Sequence, residues 1–109
     1  MSLYLARARY TADAFKGMIA KPEDRAAPVK ALFEAAGAKL LHIWFSPSTL
    51  EAIMIVEGNV VAEVTADMVV MASGTIADIS SIELITTQQQ LDAMKAGAAV
   101  AAKYRAPGK

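Results

Sequence analysis

The chain has no cysteine, which excludes disulfide bridges and thiolate-held metals. It has a single histidine, so no histidine cluster is available and no metal site is expected. No apolar run approaches the roughly 20 residues of a membrane-spanning helix. The N-terminus lacks a basic stretch followed by an apolar segment, so no signal peptide is expected and the cytoplasm is the default compartment. Eleven basic and eleven acidic residues cancel, leaving no global field to recruit nucleic acid or a membrane surface. No P-loop or dinucleotide glycine pattern occurs, and Gly58 and Gly74 read as turns, so no cofactor is expected. Ser46, Ser48 and Thr49 lack the strand–turn–helix setting of a nucleophile elbow, which argues against covalent catalysis.

What the chain does have is apolar surface. Hydrophobic residues reach 55% of 109, with much of the excess in alanine, enough for one core and one domain over residues 1–109. The most informative stretch is 38–58, where two β-rich runs flank Ser46-Pro47-Ser48-Thr49 and predict a hairpin. Pairing Phe45 with Leu50 puts Leu41, Ile43, Phe45, Leu50, Ala52, Met54 and Val56 on one apolar face. The other face carries His42, Trp44, Glu51, Ile53, Ile55 and Glu57.

Around the hairpin, Leu3–Tyr10 alternates as a strand, and Thr11 is placed to cap a helix from Ala12. Pro22 interrupts that helix, and a second piece ends at Ala36 before Gly37, with Pro28 in its first turn. Val60–Ser73 predicts a helix closed by Gly74, with Val64, Met68 and Met71 toward the sheet. Ile76–Ile85 predicts a fourth strand, with Ile76, Asp78, Ser80, Ile82 and Leu84 sharing a face. Thr87-Gln88-Gln89-Gln90 fits a capping box opening a last helix to about Tyr104, with Leu91, Met94 and Ala98 as its apolar stripe. Met54, Met68, Met71 and Met94 are expected to face the core.

The order β-α-β-β-α-β plus a helix predicts an α+β, ferredoxin-like domain with a four-stranded antiparallel sheet covered on one face by helices. The opposite face then shows Leu5, Trp44, Ile53, Ile55, Ile82 and Leu84, more apolar area than a monomer normally leaves exposed. A homo-oligomer with sheets stacked face to face is therefore expected.

Several pieces resemble the GYD-domain family of small bacterial proteins of unknown function. They are Arg9-Tyr10-Thr11, Pro22-Glu23-Asp24-Arg25, Glu34-Ala35-Ala36-Gly37-Ala38-Lys39, Ile53-Met54-Ile55-Val56-Glu57 and Met71-Ala72-Ser73-Gly74-Thr75-Ile76. The resemblance covers about residues 4–90 and implies a dimeric α+β-barrel type of fold. The Gly-Tyr-Asp that names the family is not retained: Ser48-Thr49-Leu50-Glu51 stands in its place, so no role of that tyrosine or glycine carries over.

Candidate chemistry gathers on the mixed sheet face. His42 and Glu51 are the candidate catalytic residues, because a histidine beside a carboxylate can act as general base. Arg7, Arg9, Trp44 and Asp78 are candidate ligand-binding residues, since arginines can hold an anionic group. The same residues also fit a rim of salt bridges around an apolar interface, with Trp44 as its anchor. The expected role is thus a small oligomeric domain, structural or small-ligand-binding. The alternatives are a cofactor-free monooxygenase- or isomerase-like enzyme and a ligand-sensing module.

Overall fold

A computed structural model describes all of residues 1–109. The elements run β1 (Ser2–Tyr10), α1 (Ala12–Ala20), α2 (Ala26–Ala36), β2 (Lys39–Ser46), β3 (Glu51–Gly58), α3 (Val60–Ala72), β4 (Ile76–Leu84) and α4 (Thr87–Ala101). The four strands form one antiparallel sheet in the order β2-β3-β1-β4. This is the expected ferredoxin-like arrangement, with β1 and β3 paired at its centre.

Local chemistry accounts for the boundaries. The Thr11 side chain accepts from the Ala14 N–H and starts α1, and Asn59 does the same for Ala62 in α3. Gly37, at φ 90°, closes α2 in the left-handed region that lets its N–H return to the last turn. Pro28 lies in the first turn of α2, where it displaces no helical hydrogen bond. The capping box of α4 falls one residue earlier than expected, on Thr86 and Gln89.

Three expectations about side-chain direction need correction. In the hairpin, Phe45 lies opposite Ala52 and Ser46 opposite Glu51. The Ser46 carbonyl accepts from the Leu50 N–H, which holds Leu50 in the turn at φ 57° and out of the ladder. The register therefore slips by two residues, which leaves the face of Ile43, Phe45, Ala52 and Met54 unchanged. Irregularities at Leu41 and Ala77 each reverse a face locally. Leu40 takes the place beside Val56 expected of Leu41, and Ile76 turns inward and is buried.

The third correction concerns α3. Ala62, Glu63 and Ala66 are its buried residues, whereas Val64, Met68 and Met71 point to solvent, Met68 at 67% exposure. Alanine wins the inward side because it lets the helix approach the sheet closely. The sheet presents alanines there too, at positions 6, 8 and 52. Phe33 from α2, with Met54 and Val56 from β3, completes the core. Of the four methionines expected to face it, only Met54 is buried.

Candidate functional site

The open face of the sheet places the sequence-nominated residues in two groups. Arg7 on β1 donates through its Nη2 to Glu51 Oε1 on β3 at 2.7 Å. Arg9 lies opposite Glu51 on one side and Asp78 on the other, so the four polar residues occupy neighbouring positions on β3, β1 and β4. Hydrogen bonding to Thr49, and then Arg7, holds the Glu51 carboxyl below the usual carboxylate range, against the opposing effect of its desolvation. The Arg7 Nε is buried and has no hydrogen-bond partner.

His42 and Trp44 form the second group, on edge strand β2. Their rings stack nearly parallel, 8° apart in plane, with centroids 5.0 Å apart. His42 stands opposite Ile55 and Trp44 opposite Ile53. The structure therefore brings Arg7, Arg9, Glu51 and Asp78 together, and His42 with Trp44. It does not bring His42 to a carboxylate.

The covered face holds a feature the sequence reading missed. Between α2, α3 and the sheet lies a cleft of about 290 Å³, walled mainly by Val29, Leu32, Phe33, Met54, Val70 and Ile79. Its titratable wall residues are Tyr10, Arg25 and Asp67. Arg25 precedes the first turn of α2, is partly exposed, and pairs with Glu23 at the rim. Asp67 follows Glu63 by one helical turn on the inward side of α3. Glu63 is buried and accepts a hydrogen bond from the Ser81 hydroxyl on β4.

Burial pushes the Asp67 carboxyl up to about 7, helped by the charge of Glu63 and a hydrogen bond between the two carboxyls. Its Oδ1 is shielded from solvent and has no hydrogen-bond partner. A buried polar atom without a partner is costly. A carboxyl that keeps its proton near neutrality can donate a hydrogen bond as well as accept one. The signal for this pair was present: Glu63 and Asp67 share a helix side with Ala62 and Ala66, the small residues that mark the face in closest contact.

No group of three or more histidine, aspartate or glutamate side chains converges as a metal would require. No helix is long and apolar enough to cross a membrane. No family model matches the sequence, and no curated protein matches it either. Among solved structures, the chain is similar to an uncharacterized NIPSNAP domain protein from Burkholderia xenovorans. The two are 14% identical with a TM-score of 0.47, and the match covers 79% of this chain and 94% of that one.

Proposed function

We propose that this chain is a small oligomeric GYD-like domain with a non-enzymatic, ligand-binding role. Its ligand is a small, largely apolar molecule held in the α2–α3 cleft. The observation that carries this reading is the mostly apolar cleft of about 290 Å³ between α2, α3 and the sheet, with Asp67 and Arg25 as the acidic and basic side chains in its wall. Pockets of this kind obtain affinity from apolar contact and orientation from a few polar groups. Arg25 at the rim favours ligands with an anionic end.

Self-association uses the open sheet face, where Trp44 is 58% and Ile82 56% exposed beside the half-buried Leu5, Ile53, Ile55 and Leu84. A second sheet stacked at about 10 Å covers that area. The enzyme alternative has less support, because His42 stacks on Trp44 rather than meeting Glu51 or Asp78.

The test is a methyl NMR titration with acetophenone and, as its hydrocarbon counterpart, ethylbenzene. Shifts at Val70 and Ile79 with either probe, lost in Val70→Phe, are the expected result. Shifts confined to Ile53, Ile55 and Ile82, or absent altogether, defeat the reading.

A further inference from the structure

We infer that α4 is an exchange arm, which packs its Leu91–Met94–Ala98 stripe against the Val64–Met68–Met71 stripe on α3 of a second copy. This rests on the oligomer reading above and adds the surface through which the arm takes part.

Two uncovered surfaces in the same chain point to it. The first is α3, whose outward side is apolar along its whole length: Val60, Val61, Val64, Met68 and Met71 are all exposed, Val61 at 70%. The only polar residue among them, Thr65, turns its hydroxyl back onto the Val61 carbonyl. An apolar stripe on the outward side of a helix belongs against a partner, not at a boundary with water. The second is α4, 15 residues with none buried and an apolar stripe at i, i+3, i+7. One flank of the stripe carries Gln88, Asp92 and Lys95, with Gln88 donating to Asp92. An isolated helix of this length is marginal in water, so its apolar side calls for a partner.

Its own α3 does not supply one. Only Ile85 and Thr86 separate β4 from α4, and the capping box on Thr86 fixes the direction in which the helix leaves. The arm accordingly extends the molecule to 62 Å against 31 and 24 Å in the other directions. The partner is a second copy, because both stripes are apolar and span seven residues, about two helical turns, and a two-fold exchange satisfies both arms at once. Two helix contacts with the stacked sheets bring the interface toward the roughly 1,200–2,000 Å² of a stable complex.

The absence of cysteine makes the test direct. The variant Met68→Cys with Met94→Cys in one chain is expected to oxidise to a covalent dimer, with Met68→Cys plus Ala96→Cys as the control from the far side of α4. In addition, Leu91→Asp is expected to weaken dimerisation about tenfold or more. A disulfide within one monomer overturns the inference, showing that the arm folds back on its own α3. Cross-linking no greater than the control also overturns it. If sedimentation shows the wild-type chain dimeric while the cross-link fails, the arm is wrong and sheet stacking stands; a monomeric wild-type chain removes both.

Discussion

Asp67 lies one helical turn beyond Glu63 on the inward side of α3, and the two carboxyls interact there beneath a mostly apolar cleft. The folded-state value of about 7 for Asp67 stands above its ordinary value of 3.8. The folded protein therefore binds this proton more tightly than the unfolded chain. The stabilisation is fully present below about pH 4, declines as pH rises, and is gone above about pH 7. Asp67→Asn keeps a neutral donor in place. It is expected to flatten the change in Tm between pH 4 and 7 and to leave Tm at pH 8 no lower than wild type. Thermal melts by circular dichroism at pH 4, 6 and 8 check this.

Glu51 has the opposite sign. Its folded-state pKa is depressed by Thr49 and Arg7, so its stabilisation is present above the ordinary value of 4.5 and is lost as pH falls through the lower folded value. Arg7→Leu removes the 2.7 Å ion pair and is expected to move the acid-unfolding midpoint upward. An acid titration followed by tryptophan fluorescence reads the shift, and an unchanged midpoint refutes it.

Close packing at the end of β3 sets a third expectation. A Cβ built on Gly58 comes within 3.0 Å of the Ala38 Cβ. Gly58→Ala is therefore expected to cost about 1–3 kcal/mol in urea unfolding. Val56, completely buried next to it in the strand, is expected to lose about 2 kcal/mol on truncation to alanine.

The hairpin turn offers a stabilising change. Leu50 is the one non-glycine residue with positive φ, at 57°, and its side chain is exposed. Left-handed backbone costs a leucine about 1–2 kcal/mol, part of which glycine returns through its greater freedom when unfolded. Leu50→Gly is expected to raise stability by about 0.5–1 kcal/mol, measured by urea midpoint at constant slope.

Element order, helix starts and the sheet plan were legible because they rest on local signals: Thr11, Pro22, Gly37 and the alternation in β1 and β3. The face of α3 was not. Periodicity marks apolar stripes, and α3 has an apolar stripe outside and alanines with two acids inside. Hydrophobicity favoured Val64, Met68 and Met71, while the distance between helix and sheet favoured Ala62 and Ala66. The inverted Ile76 depended on an irregularity at Ala77 with no local signature. On the open face strand order placed Arg7 or Arg9 near Glu51, whereas the choice of Arg7, diagonal to Glu51 in the ladder, depended on side-chain direction. The His42–Trp44 stack joins residues two apart on one strand, a proximity that alternation contains.

The alanine core has a consequence for how much of this protein a cell must keep. Six of the fourteen buried residues are alanines, and alanine releases little free energy on leaving water. Such a monomer has little stability in reserve, and the proposed self-association would supply the remainder by mass action. For a dimer, each tenfold dilution removes about 1.4 kcal/mol from that supplement. Scarce copies would then be the ones most open to proteolysis, so abundance and survival of the chain would rise and fall together.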